Sequence, residues 1–290
     1  MPAQHLQPVR SPLIQLTTEQ IAQFRDEGFL LVRGVFSPAE IGEMVRGCDQ
    51  LEQIAKDRAE DFFQGSCYFN LHRDCEPYAK NIADFKPERG LLRRVTYPYL
   101  VSPTFDFLRT HPPLLHMVSA LLGEPDVVQI TNQVNFNHPG RGTGWGWHQD
   151  YRFRRAGITD LVHDFVQSLT AIDRCYVGNG GIRLVPKSHQ LGELALDLDI
   201  EHAEKRFDAT TAVTPDMAPG DVVFFNALVI HGSTANRSNG PRRVFINGFA
   251  KASACNHGVP VYRGGLVLKE AKGSMEYEKQ TQELPHTSKY

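Results

Sequence analysis

The stretch Val127-Val128-Gln129-Ile130-Thr131-Asn132-Gln133-Val134-Asn135-Phe136-Asn137 marks where the chain changes character. It alternates, and it is rich in branched residues. That is the period-2 pattern of a β-strand with one face on a core. Downstream, Ser168–Tyr176, Gly181–Val185, Asp221–Phe225, Leu228–His231 and Arg242–Ala250 also read as short strands. Turn residues separate them: Pro139-Gly140, Gly178-Asn179-Gly180-Gly181, Pro219-Gly220 and Asn239-Gly240-Pro241. Many short strands with such punctuation predict a sandwich or barrel.

Upstream the pattern is helical. Thr17-Thr18-Glu19-Gln20 is a capping box, followed by Ile21 and Phe24 and closed by Gly28. Phe29–Val32 is a short apolar strand. Ser37-Pro38-Ala39-Glu40 opens a second helix that carries Ile41, Met44, Val45, Cys48, Leu51 and Ile54 at helical spacing. A third helix runs from about Pro113 to Leu122, before Gly123. Residues 60–95 show no clear period but carry Phe62, Phe63, Tyr68, Phe69 and Tyr78, which suit either plain packing or a lid. The layout is α+β: a mainly helical cover over 1–125, an all-β core over 126–255 and a C-terminal extension over 256–290. No repeat or linker divides it, so one domain is expected.

Composition excludes several classes. The 290 residues carry 31 basic and 33 acidic side chains, a net charge of −2, unlike the strongly basic surface of a dedicated nucleic-acid binder. No apolar run approaches a membrane span, and Met1–Arg10 has no secretory h-region. Ser288-Lys289-Tyr290 departs from a peroxisomal Ser-Lys-Leu in its last residue. Five cysteines without a Cys-x-x-Cys pair read as free thiols in a reducing cytoplasm. A chain this long buries enough surface to fold without a metal, so a metal would serve chemistry.

The 12 histidines are the unusual entry in the composition. Non-haem iron sites use two histidines and one carboxylate on one face of the metal, leaving the other face open. Residues i and i+2 of a strand share a face, so His-x-Asp aims an imidazole and a carboxylate at one point. Composition alone gives about 1.4 His-x-Asp/Glu matches, and three occur: His72-Arg73-Asp74, His148-Gln149-Asp150 and His202-Ala203-Glu204. Only His148-Gln149-Asp150 lies among predicted strands, beside Trp145, Trp147, Tyr151 and Phe153. The second histidine should come from a late strand, where His231 ends an apolar run. Arg242 and Arg243 follow. Adjacent strand residues face opposite ways, so one of the two can enter the barrel and clamp a carboxylate. Ser233 can share that carboxylate.

Trp147-His148-Gln149-Asp150, the segment Asn179 to His189, Gly220-Asp221-Val222-Val223-Phe224-Phe225 and His231-Gly232-Ser233 with Arg242, in this order, resemble the phytanoyl-CoA dioxygenase family. These are iron- and 2-oxoglutarate-dependent oxygenases that include ectoine hydroxylase. The likeness spans about Leu16 to Ala250. It implies a double-stranded β-helix (jelly roll, cupin-like) with helices outside. It also implies Fe(2+), O2 and 2-oxoglutarate as partners of a small-molecule substrate. His148, Asp150 and His231 would be the iron ligands. Arg242 would hold the distal carboxylate of 2-oxoglutarate with help from Ser233, and Gln133 and Asn137 would contact substrate or co-substrate. The sequence departs from the family in Pro186-Lys187-Ser188-His189, where Pro-Gly-Ser-His is usual, and near Asn137 and His138, where many relatives carry a lysine. A carboxylate at Asp150, where related halogenases have a small residue, implies oxygenation and the release of succinate and CO2.

The implied activity is hydroxylation of an unactivated C–H bond in a small organic substrate. Acyl-CoA hydroxylation is the alternative within the family, and a non-oxygenase cupin-like metal protein the alternative outside it. Arg152 and Arg154 share parity with His148 and Asp150, so a continued strand would present them to an anionic substrate group. The glycine-rich run 140–146 lacks the Lys-Ser/Thr of a phosphate loop, and reads as a turn before the iron-binding strand.

Overall fold

The computed structural model describes residues 15–72, 89–140, 144–151, 157–194, 205–255 and 260–268. Both predicted capping boxes form. Thr17 and Gln20 close the N-terminus of α1 (Thr18–Glu27), and Gly28 ends it with φ +84°. Ser37 and Glu40 do the same for α2 (Pro38–Ala55). Two more helices follow, α3 (Pro103–Arg109) and α4 (Pro112–Leu122).

The strands are β1 (Phe29–Val32), β2 (Phe62–Gln64), β3 (Cys67–Leu71), β4 (Leu92–Thr96), β5 (Asp126–Asn137), β6 (Trp145–His148), β7 (Phe165–Ala171), β8 (Arg183–Leu184), β9 (Val222–Phe225), β10 (His231–Ser233), β11 (Arg242–Lys251), β12 (Pro260–Arg263) and β13 (Leu266–Val267). A large sheet runs in the order β1-β9-β7-β11-β5-β4-β3-β2, with β12 also paired to β5 and β13 to β12. A small sheet has the order β6-β10-β8. All the pairings are antiparallel. Neighbours in space are distant in sequence, as in the jelly roll that the resemblance implied, and one cavity is lined from both sheets.

The first third of the chain adds strands as well as helices. β1 matches its predicted range and closes one edge through β9. Residues 60–95 supply β2, β3 and β4 on the other side. These strands are three to five residues long, too short for periodicity to declare them.

Register decides which side chains face inward. Asn135 pairs with both Val244 and Arg94, Gln133 with Ile246 and Thr96, and Asn137 with Arg242. Ile246 pairs on its other side with Leu169, and Gly248 with Gln167, which in turn meets Phe225. Alternation then sends Val134, Phe136, Phe245 and Phe224 to the outer face. There they join residues of α2 and α4 in one apolar cluster. Truncating the fully buried Phe245 to Ala would cost roughly 3–5 kcal/mol.

The Gly220-Asp221 turn ties the sheet edge to the helical layer. Asp221 is buried, and its carboxylate accepts from the Gly34 amide at 2.9 Å, the Ala218 amide at 2.8 Å and the Arg33 guanidinium at 2.6 Å. Gly220 has φ +93°, and a Cβ there would overlap the Phe36 carbonyl oxygen. Among the described residues Cys48, Cys67 and Cys175 are free thiols, and no helix is long and apolar enough to cross a membrane.

Glu40 gives α2 a pH-dependent start. Burial alone would raise its carboxyl. The hydrogen bonds from His111, whose Nε2 lies 3.0 Å away, and from Ser37 outweigh that and hold it at about 2 instead of 4.5. Stability from this carboxylate is therefore full above pH 4.5 and is lost as the pH falls through about 2. In urea titrations, Ser37→Ala should lose about 1 kcal/mol. The stability gap between wild type and Glu40→Gln should narrow as the pH is lowered from 4.5 towards 2.

Candidate metal centre

β10 brings the two distant histidines together. It pairs with β6 so that His231 lies opposite His148, and their ring centroids are 4.1 Å apart. The next pair is Ser233 with Trp145, so three residues of β6 span two of β10, a bulge. Gly144, just before β6, sits against β10 so closely that a Cβ would overlap the Ser233 carbonyl oxygen. Gly144 thus allows β6 to pack closely on β10, while residues 141–143 of the glycine-rich run lie outside the described residues.

Both imidazoles have a fixed tautomer. Nδ1 of His148 lies 2.8 Å from the Gly146 carbonyl, and Nδ1 of His231 lies 2.9 Å from the Val229 carbonyl. A carbonyl only accepts, so each Nδ1 carries a proton and each Nε2 is the nitrogen left to present a lone pair to a metal. Each histidine uses the backbone two residues before it, a local device that any His at that backbone geometry can adopt.

β6 ends at His148, so Asp150 lies just beyond the strand rather than on it. The backbone still continues in place, because the Asp150 amide donates to the Ala227 carbonyl at 2.7 Å. Gln149, between His148 and Asp150, is a staple. Its Nε2 donates to the Gly192 and Leu228 carbonyls, and its Oε1 accepts from the Leu194 amide, each at 2.8 Å. Asp150 is 4% exposed, and its Oδ2 stands 3.8 Å from His231 Nε2. One donor atom from each of His148, Asp150 and His231 lies within 4.8 Å of the others. A buried carboxylate beside two lone-pair nitrogens is costly without a cation. Two imidazoles and one carboxylate suit a divalent first-row metal such as iron.

The cavity beside this cluster has a volume of about 130 Å³. Leu169, Ile182, Phe225, Val244 and Ile246 give it an apolar floor, while Trp145 and Trp147 line its small-sheet side. Arg242 reaches into it and Arg243 does not. Arg243 instead forms a fork with Asp173, at 2.8 and 2.9 Å. Arg242 is 4% exposed, and its Nε and Nη2 have no hydrogen-bond partner. Burial pulls its pKa below the ordinary arginine value, against the opposing influence of Cys175 and Asp173. A charged guanidinium held this way is a receptor for a carboxylate. Ser233 also lines the cavity. Its Oγ accepts from the Trp145 amide at 3.1 Å and so keeps its own proton to donate.

Gln133 lines the cavity. Asn137 is used differently: its Nδ2 donates to the Thr234 carbonyl at 3.2 Å, and it is not among the lining residues. Arg152, Arg154 and His202-Ala203-Glu204 lie outside the described residues. His72 is buried away from the cavity, edge-on to His138, with its pKa pushed down to about 3 by burial and by the charge of Arg93.

The polar lining residues Arg94, Asn135 and Gln167 are not among the site residues expected from the sequence. Arg94 sits in the aperiodic segment. Asn135 and Gln167 share face parity with Gln133 and Leu169, so alternation along β5 and β7 was the available signal.

The sequence profile of the family described as Phytanoyl-CoA dioxygenase (PhyH) matches residues 24–244. The chain is 24% identical over 250 residues to a probable alpha-ketoglutarate-dependent hypophosphite dioxygenase of Stutzerimonas stutzeri, covering 81% of this chain and 79% of that protein. It is 31% identical over 140 residues to a methylphosphonate hydroxylase of Gimesia maris, covering 47% of this chain and 50% of that protein. Its fold is shared with EctD of S. alaskensis solved with bound Fe, at a TM-score of 0.61 and 19% identity, over 82% of this chain and 78% of that one.

In metal-free protein, exchanging the buried charge for a neutral isostere should be favourable. Asp150→Asn is expected to stabilise the metal-free chain by about 1–2 kcal/mol and to remove the stabilisation that added iron gives wild type. Calorimetry with and without metal reads both effects.

Proposed function

Because the chain belongs to the phytanoyl-CoA dioxygenase family, we propose that His148, Asp150 and His231 are its iron ligands and that Arg242 and Ser233 hold its co-substrate. The protein is an iron- and 2-oxoglutarate-dependent dioxygenase acting on a small molecule. The observation that carries the residue assignment is the pair of Nε2 lone pairs, presented by fixed tautomers beside the buried Asp150 carboxylate.

Bound iron(II) and 2-oxoglutarate together supply an oxidant from O2, with succinate and CO2 as co-products. The chain's own residues do the rest. Arg242 takes the distal carboxylate of 2-oxoglutarate in its buried fork, and Ser233 donates its hydroxyl proton to the same group. Leu169, Ile182, Val244 and Ile246 keep bulk water from the reacting face, where a dry wall limits side reactions.

The substrate is small and anionic in this reading. The described residues enclose a cavity of about 130 Å³ beside the metal cluster, which suits a small molecule. Arg94 brings a second positive charge to the wall, next to Asn135. The relatives named for hypophosphite and methylphosphonate point the same way; in a small organic anion such as methylphosphonate the reaction would be hydroxylation at an unactivated C–H bond.

Three measurements test the proposal. Purified protein loaded with iron should release succinate from 2-oxoglutarate only when O2 is present. Zinc outperforming iron would contradict the assignment. Arg242→Met should raise the KM for 2-oxoglutarate by about 100-fold through loss of two charge-assisted hydrogen bonds. In a panel of phosphonates, carboxylates, amines and acyl-CoAs, small anions should drive succinate release, while amines and acyl-CoAs leave it at the uncoupled level.

A further inference from the structure

Each histidine of the metal cluster is fixed by one hydrogen bond to the backbone. Asp150 lies past the end of β6, and among the described residues no backbone group donates to its carboxylate. The carboxylate is instead reached by Gln167, 2% exposed on β7, whose Nε2 donates to Asp150 Oδ2 at 3.2 Å. The amide orientation follows from the acceptor: an ionised carboxylate offers no proton, so the NH2 end must face it.

The seat of this carboxamide is built by a glycine. Gln167 pairs in register with Gly248 of β11, at the bulge between Gly248 and Phe249 where β11 shifts against β5. A Cβ on Gly248 would overlap Gln167 Oε1 and would lie 2.6 Å from Phe165 Cζ and 2.7 Å from Thr131 Cγ2. Gly248 is not one of the glycines with positive φ. Its backbone would accept any residue, and the space around it would not.

Gln167 Oε1 is buried and has no hydrogen-bond partner. The amide is therefore held in place at the cost of a desolvated acceptor, which in a buried network marks a position fixed for some purpose. A neutral donor suits that purpose. It fixes the direction of the carboxylate without neutralising the negative charge that a metal needs, as a lysine or arginine would.

We infer that Gln167 is the positioning residue of the metal centre. It holds the Asp150 carboxylate towards the two Nε2 atoms, and Gly248 is the vacancy that lets it do so. The inference rests on the assignment of His148, Asp150 and His231 as ligands. Outer hydrogen bonds of this kind change metal affinity by about 10- to 100-fold in other proteins.

The test is titration of the metal-free full-length chain with Co(II), followed by calorimetry and by the visible absorption of the bound ion. Gln167→Met keeps the length of the side chain and removes the donor. Gln167→Asn keeps the amide and withdraws it by one methylene, which serves if the Met variant does not fold. Gly248→Ala leaves every polar group present and displaces the carboxamide. Each folded variant should bind Co(II) about 10- to 100-fold more weakly than wild type, with an altered absorption spectrum. Ser168→Ala is the control. It removes a neighbouring buried hydrogen bond, from Ser168 Oγ to the Asn247 carbonyl at 3.1 Å, and should leave affinity and spectrum unchanged. Wild-type affinity and spectrum in the folded Gln167 variants would overturn the inference alone, as would an equal loss in Ser168→Ala. Failure of the wild-type chain to bind Co(II) would overturn the ligand assignment and the inference with it.

Discussion

The pairing of β10 with β6 places His231 across from His148, and the chemistry of the site depends on that register. A shift by one residue would turn one imidazole to the other face of the small sheet. The pairing is protected by residues that do no chemistry. Gly144 lets β6 approach the Ser233 backbone, and the Gln149 amide ties the segment after His148 to the Gly192 and Leu228 carbonyls. The Asp150 amide closes on Ala227. The two imidazoles inherit their orientation from main-chain carbonyls, and the Asp150 carboxylate from the Gln167 side chain.

Electrostatics divides the same cavity into two zones. At one end a carboxylate and two imidazoles cluster their donor atoms. Elsewhere along the wall, Arg242 and Arg94 supply positive charge, with the apolar side chains of β7 and β11 between. A ligand with one end that binds a metal and another that carries a carboxylate fits this division, and 2-oxoglutarate is such a ligand. Arg243 shows what a buried arginine does when it has a structural role: it is matched to Asp173 within the protein. Arg242, its neighbour on the opposite face, has Nε and Nη2 left over for something the protein does not contain.

Much of this was legible in the residues. Strand alternation allowed only one of Arg242 and Arg243 to face inward, the family resemblance pointed to Arg242, and Arg242 is the one that lines the cavity. Strand context set His148 apart from His72, and His148 is the one beside the cavity. The capping boxes of α1 and α2 were readable because their signals are local. What was hidden needed partners from far along the chain. β2, β3 and β4 are too short to show a period, so Arg94 could not be assigned to the cavity wall. Asn137 has the parity of a lining residue, yet its amide is taken by the Thr234 carbonyl of a turn near β10. Gln167 and Gly248 are unremarkable in sequence; their meaning lies in cross-strand register.

The central claim is that one metal held by His148, Asp150 and His231 shares the cavity with 2-oxoglutarate anchored on Arg242. The most direct measurement is visible spectroscopy of the iron(II) protein during anaerobic addition of 2-oxoglutarate. The account predicts a charge-transfer band from a keto acid chelated to iron, saturating at one iron per chain and lost when Asp150 is replaced by alanine. Tight iron binding with no such band, or a band indifferent to Asp150, would contradict it.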